Sequence, residues 1–341
     1  MDHAIDNHDL SATARSGYVP SAGVALLALL VATGLWGSTF VFIQAVETTD
    51  STKYLSPAAL TFGRFAVASL AFLPFGWRAL RYWRAGIELG FLMWAGYATQ
   101  AVGLLYTSVP RMAFLSSLYV ILLPIGAFVR GRKVSGLVWV GAVLAVVGTG
   151  LLSSDGGPPN HGDAWALATA VAWAFFIERF GHHCRRAPTL AVAAMNVWGV
   201  TLFSLAWFVA SRGSLVGLTM GAMRQLPWAT LIYLGVAATS LVAVLQAIGQ
   251  RKIAAPRAAI LYTLEPVFAC VAGFAYRGIV LGASGVLGAF LILLAAVLSQ
   301  WPGLREGRDS VLTAETQRTR SESIKEDNAS GPKLTEGTGL K

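Results

Sequence analysis

Between residues 22 and 301 the sequence is a succession of continuously apolar runs, each long enough to form a helix that crosses a bilayer, joined by short charged loops. A helix of about 20 residues rises ~30 Å, the thickness of the hydrocarbon core. The runs fall at 22–46, 57–76, 86–106, 111–130, 135–153, 162–180, 189–211, 228–249, 256–277 and 280–301. Barrel strands would alternate polar and apolar over segments of about 10 residues, whereas these runs are unbroken and rich in Ala, Leu, Gly and Val. Charged residues make up 13% of the 341-residue chain and mean hydropathy is +0.60. A soluble domain carries roughly 25% charged residues. The expected fold is therefore all-α and integral to a membrane, with ten transmembrane helices.

A net charge of +9 raises the question of nucleic acid, but the basic residues lie in the loops between apolar runs. That pattern sets membrane orientation and excludes a basic nucleic-acid face. With both termini cytoplasmic, the cytoplasmic loops hold Arg78, Arg81 and Arg84; Arg130, Arg132 and Lys133; Arg179, Arg185 and Arg186; and Arg251 and Lys252. The opposite side receives Lys53, Arg111, Arg212, Arg224 and Arg277, and the loop 154–161 has no Lys or Arg. The positive-inside bias selects this orientation in a plasma (inner) membrane. Residues 1–20 carry Asp2, Asp6 and Asp9 against Arg15, unlike the basic start of a secretory signal, so the first apolar run is expected to be a retained helix. The segments 1–20 and 303–341 mix charges without apolar periodicity and are expected to be disordered. Cys184 and Cys270 are far apart and read as ordinary thiols.

The chain also repeats itself. Laid over one another, 100–118 (QAVGLLYTSVPRMAFLSSL) and 246–264 (QAIGQRKIAAPRAAILYTL) share eight of nineteen residues, including a Gln, a Gly and a Pro-Arg pair. The same register pairs Phe128 with Phe274, Val134 with Val280 and Gly136 with Gly282, and Trp36 and Trp173 mark the first helix of each half. The implied units are 21–153 and 154–302. Because five is odd, two such five-helix units enter the membrane from opposite sides, which makes the repeats inverted and suits them to alternating access.

These features, in their order, resemble the EamA group of the drug/metabolite transporter superfamily. The matching residues are Leu35-Trp36-Gly37-Ser38-Thr39-Phe40, Gly63-Arg64-Phe65 and the stretch Gly96 to Ser108. In the second half they are Gln246 to Gln250, Pro256-Arg257-Ala258-Ala259 and Leu264-Glu265-Pro266-Val267-Phe268. The resemblance covers about 22–301 and implies a ten-helix bundle with a central cavity that moves small metabolites, often exporting amino acids. One departure stands out. The family commonly has a Gly-Glu-Arg-like loop after the fourth and ninth helices, and here these loops read Val129-Arg130-Gly131-Arg132-Lys133 and Tyr276-Arg277-Gly278-Ile279, with no acid in either.

Charged groups within apolar runs cost about 2.5 to 3.5 kcal/mol or more, so they face a wet cavity, a partner or a substrate. Glu265 lies near the middle of the ninth run beside Pro266, which removes a backbone hydrogen bond. It is a candidate proton or substrate-ammonium site, or a structural carboxylate paired with an arginine. Arg64 is either that partner or a binder of a substrate carboxylate. Gln100 and Gln246 occupy equivalent places and either line a pore or bridge helices. Trp36, Ser38, Thr39, Tyr119 and Trp173 are candidate cavity walls, with interfacial anchoring and packing as the alternative. Arg111 and Arg257 are expected at lipid headgroups, Glu178 and Arg179 as a helix-end pair, and Gly86 with Gly90 and Gly278 with Gly282 as points of close helix approach.

Gly282-Ala283-Ser284-Gly285 resembles the serine motif of rhomboid proteases, but all five histidines fall outside the apolar runs, so the serine lacks a base. With no HExxH and no pair of membrane aspartates, an enzyme is not expected, nor a cofactor. The expected partners are a small-molecule solute and lipid, with protons as a candidate coupling ion and a homodimer as a candidate assembly. A passive channel is the remaining alternative.

Overall fold

The protein, seen in a computed structural model, is described over residues 20–47, 56–153, 159–212, 228–278 and 280–301. The expectations for 1–19 and 302–341, and for the basic residues Lys53 and Arg224, lie outside these residues. No strand occurs among the described residues. The helices are α1 (Ala22–Glu47), α2 (Pro57–Ala71), α3 (Trp83–Gly103), α4 (Val109–Ser116 and Tyr119–Val129), α5 (Gly136–Ser153), α6 (His161–Cys184) and α7 (Thr189–Arg212). Then follow α8 (Trp228–Ile232, Tyr233–Leu241 and Val242–Lys252), α9 (Ala255–Tyr262 and Glu265–Arg277) and α10 (Ala283–Trp301). Among the described residues seven helices are long and apolar enough to cross a membrane: α1, α4, α5, α7, α8, α9 and α10. By the same measure α2 is apolar but only 15 residues long. It ends early because Pro74 lacks an amide hydrogen and disfavours helix at the residue before it, leaving a 3-10 turn at Leu73–Phe75. Although α3 and α6 are long enough, they carry Glu88, Asp163, Glu178 and Arg179.

Outward and inward faces reverse the soluble pattern. Leu27, Phe91, Phe128, Val143, Phe175, Leu202, Val271 and Phe290 are exposed, whereas Thr169, Asn196, Ser204, Gln246 and Gln250 are fully buried. An apolar exterior of this extent is a liability in water and the ordinary state in lipid. The protein is a multi-pass membrane protein.

Helix contacts exchange when α1–α5 are swapped for α6–α10. α3 packs on α6 as α8 packs on α1, α4 on α6 as α9 on α1, and α7 on α3 as α2 on α8. Glycines make these approaches possible. A methyl on Gly199 would overlap the Gly86 carbonyl, so α3 and α7 touch backbone to backbone, and Gly288 brings α10 within the same reach of Gly148 on α5. Hydrocarbon gives helices no hydrophobic reason to associate, so van der Waals contact of this kind carries the packing. Gly278 and Gly282 play no such part, since a side chain at either would meet nothing within 4 Å. Gly278 instead caps α9 with φ 66°, as Gly131 follows α4 with φ 73°, a left-handed conformation that glycine adopts without strain.

The interruptions of α4 and α9 also correspond. The register that pairs 100–118 with 246–264 carries the turn Ser117–Leu118 onto Thr263–Leu264 and Tyr119 onto Glu265. At each turn a hydroxyl donates three residues back, Ser117 Oγ to the Phe114 carbonyl (2.7 Å) and Thr263 Oγ1 to the Ile260 carbonyl (2.6 Å). In α9, Pro266 has no amide to offer the Tyr262 carbonyl, which fixes the break just before it.

Replacing Gly199 by Val should cost about 3 kcal/mol or more, because neither backbone can retreat without opening the α3–α7 contact. Gly136→Ala, with open space around it, should be silent. Thermal aggregation midpoints of the two detergent-solubilised variants check the contrast.

Candidate functional site

A small cavity lies where the two halves meet. Trp36 of α1, Arg64 of α2 and Met93 of α3 line it from one half, and Asn196 and Val197 of α7 with Ala238, Thr239, Val242, Ala243 and Gln246 of α8 from the other. Its volume is about 10 Å³, the lower limit for a single water and far below the roughly 300 Å³ of an ordinary small-molecule site. The centre is closed in this structure.

Arg64 is 8% exposed and spends two donors on α8: Nε on Thr239 Oγ1 (2.6 Å) and Nη2 on the Ala238 carbonyl (2.9 Å). The α8 segment Tyr233–Leu241 is π-helical, and Thr239 and Ser240 donate their hydroxyls five residues back to the Leu234 and Gly235 carbonyls. π turns widen the helix and are common at functional sites. The guanidinium also faces the rings of Tyr97 and Phe65, 5.7 and 5.8 Å from their centroids. No ion pair joins Arg64 to Glu265. α8 passes directly over α2 at Gly235, where an added methyl would stand 3.0 Å from the Arg64 carbonyl, and takes two of the guanidinium's donors, while Glu265 remains within coulombic reach of it.

The other sequence candidates divide between this cavity and its surroundings. Trp36 and Gln246 reach it. Trp36 packs edge-on against Tyr262 (5.6 Å between centroids), whose hydroxyl is hydrogen-bonded to Gln246 and accepts from Gln250 Nε2 (3.0 Å). Ser38 bonds the Leu35 carbonyl and the Tyr233 hydroxyl, and Thr39 the Trp36 carbonyl, so both hydroxyls serve helix contacts. Trp173 stands behind Tyr97 at 5.4 Å, one ring removed from Arg64. Glu265 opens the second half of α9 beside Gly37, where a methyl would lie 2.7 Å from the Glu265 carbonyl. Tyr119 opens the second half of α4 and packs against the core. Gln100 is half-buried near the end of α3, away from the cavity lining. Asn196, Tyr97, Thr239 and Tyr262 were not singled out from sequence. A polar Asn196 in the seventh apolar run was the one signal available, since the others are ordinary residues of helical membrane segments.

α6 is held at both ends. At its start Arg111 grips Asp163 with Nε and Nη2, each 2.7 Å from a carboxylate oxygen, while Asn160 and Asp163 form a capping box. Arg111 is thus an inter-helix latch, because Asp163 is within reach. At the other end Glu178 meets Arg130 (3.1 Å) and Arg132 (3.0 Å), and Glu88 meets Arg179 and His183. Glu178 and Arg179 do not pair with each other, since consecutive helical residues point about 100° apart. Glu178 thus brings a carboxylate against the loop after α4, which has no acid of its own.

Arg111 and Asp163 should show a coupling of about 1 kcal/mol in a double-mutant cycle, and Glu178 with Arg179 a smaller one. Exchanging Arg64 and Glu265 should not recover the folded yield lost in either single variant. Fluorescence-detected size exclusion reads both outcomes.

Known proteins agree with this architecture. The chain matches the EamA-like transporter family over residues 23–154 and again over 160–301. An "Uncharacterized transporter" of Archaeoglobus fulgidus is 31% identical over 279 residues, 81% of this chain and 84% of that protein. A crystal structure of a protein 20% identical in sequence superposes with a TM-score of 0.64 over 82% of this chain and 98% of its own, a likeness of fold. Two matches, one to each half of a membrane-embedded helical chain, place this protein in the EamA-like transporter family.

Proposed function

We propose that the chain is a carrier of a small polar metabolite that works by alternating access between two inverted five-helix halves, 21–153 and 154–302. α2, α3 and α6 complete ten spans, since the charges that lower the hydropathy of α3 and α6 are paired near the helix ends, Glu88 with Arg179, Asp163 with Arg111 of α4, and Glu178 with Arg130 and Arg132. The observation that carries the proposal is the central cavity, lined by helices of both halves and too small in this state to pass a solute. A structure with an open water-filled path would favour a channel, whereas a closed centre between pseudo-symmetric halves suits a carrier. Loop charge puts both termini in the cytoplasm of a plasma (inner) membrane, and the family resemblance favours export.

Purified protein in liposomes should give saturable solute counterflow and no large conductance. A large unsaturable current would replace the carrier with a channel. Single cysteines at Arg111 and Arg257 should react with impermeant maleimide from opposite faces; labelling from the same face would end the inverted arrangement. Glu265, at a helix break in the membrane interior, is the proposed proton site. Glu265→Gln should abolish pH-gradient-driven transport and leave counterflow measurable.

A further inference from the structure

Residues 72–84, which link α2 to α3, are folded rather than looped. A 3-10 turn (Leu73–Phe75), one helical turn (Gly76–Ala79) and a second 3-10 turn (Leu80–Tyr82) carry the chain to the start of α3 at Trp83. Three kinds of side chain meet here. Phe72 and Ala79 are buried, and the segment packs on α7. Leu73, Leu80 and Trp83 are each more than half exposed, and Phe75 nearly so. Arg78, Arg81 and Arg84 are exposed as well, and Arg84 holds its guanidinium 5.5 Å over the Trp83 ring. Residues three apart nearly eclipse one another in tight helical turns, so the three arginines form one row and Leu80 with Trp83 the row beside it. No acid occurs between residues 72 and 87, and Glu88, the next one, is taken by Arg179 and His183.

In water this segment would leave four large apolar side chains exposed, and in hydrocarbon it would leave three guanidiniums unsolvated. The headgroup level of a bilayer satisfies both. We propose that residues 73–84 lie along the membrane interface and form a docking site for an anionic phospholipid, its phosphate held by Arg81 and Arg84 and an acyl chain laid on Leu80 and Trp83. Amphipathic segments that set Trp, Phe and Leu beside basic residues settle at this depth. A guanidinium meets a phosphate through paired donors, and a zwitterionic headgroup brings its own cation to compete for the same oxygens. The site also bears on the helix it follows. α2 has 15 residues and rises roughly 22 Å, less than the hydrocarbon thickness, so a segment anchored among headgroups fixes how deep the end of α2 lies.

Full-length protein in mixed micelles of phosphatidylcholine and phosphatidylglycerol is tested by native mass spectrometry, which counts the lipid that stays bound. Phosphatidylglycerol should be retained in preference, and added salt should weaken that preference. The double variant Arg81→Gln, Arg84→Gln should retain phosphatidylglycerol about tenfold more weakly. Lys133→Gln with Lys252→Gln removes the same charge from other exposed positions and should leave retention unchanged. Equal retention of the two lipids overturns the proposal. So does an equal loss in both double variants, which would mean attraction by overall charge, and so does displacement of the lipid by inorganic phosphate, which would mean a site for a free anion. Should the arginine variant fail to fold, Trp83→Ala decides, because it removes the ring under Arg84 and the seat of the acyl chain: retention about threefold weaker supports the site, and unchanged retention ends it.

Discussion

Hydrocarbon offers no water to a broken helix, so every interruption inside the bilayer must be repaired from within the protein. This chain has interruptions in α4, α8 and α9, and each is repaired by a side chain reaching back to its own helix. Ser117 and Thr263 close the two corresponding turns, while Thr239 and Ser240 serve the π segment of α8. Arg64 adds a repair from outside, taking the Ala238 carbonyl. Irregular backbone is tolerated in a membrane where protein buries it or a cavity adjoins it, and the π segment borders the only charged wall of the central cavity.

Close packing and ion pairs divide the remaining work by depth. Glycines allow backbone contact within the bundle, at Gly86 and Gly90 against Gly199 and at Gly148 against Gly288. Ion pairs gather toward the ends of α6. In lipid a packed interface gains dispersion energy only where surfaces touch, so small residues are needed along the whole contact. Charges are cheaper near water, so the ends of the bundle can be latched by groups that the middle could not hold unpaired.

The duplicated architecture gives the centre its composition. Each half brings helices to the shared cavity, but the two halves do not bring the same residues: Arg64 has come from one, Asn196 and Gln246 from the other. Paired positions have also diverged, with Tyr119 opposite Glu265 at the two helix breaks and Gln100 left outside the cavity that Gln246 lines. The scaffold is symmetric and the chemistry is not.

How much of this was legible in the sequence follows from the range of each interaction. Apolar run length fixed the membrane and the helices, and the overlay of 100–118 on 246–264 fixed the duplication, because both are properties of local pattern. The same pattern marked Trp36, Arg64 and Gln246 as polar or aromatic groups within apolar runs. It did not show that Arg111 meets Asp163 or that Glu178 meets Arg130 and Arg132, since a charge chooses its partner by which helix face arrives first, and that depends on crossings set by glycines far away in the chain. Asn196, Tyr97, Thr239 and Tyr262 became visible only when α2, α3, α7, α8 and α9 were packed together. The sequence by itself determined that this chain lives in a bilayer as a repeated helical unit, because hydrophobicity and periodicity act along the chain. Which side chains share the cavity was decided by tertiary structure alone, because that depends on the approach of backbones hundreds of residues apart in sequence.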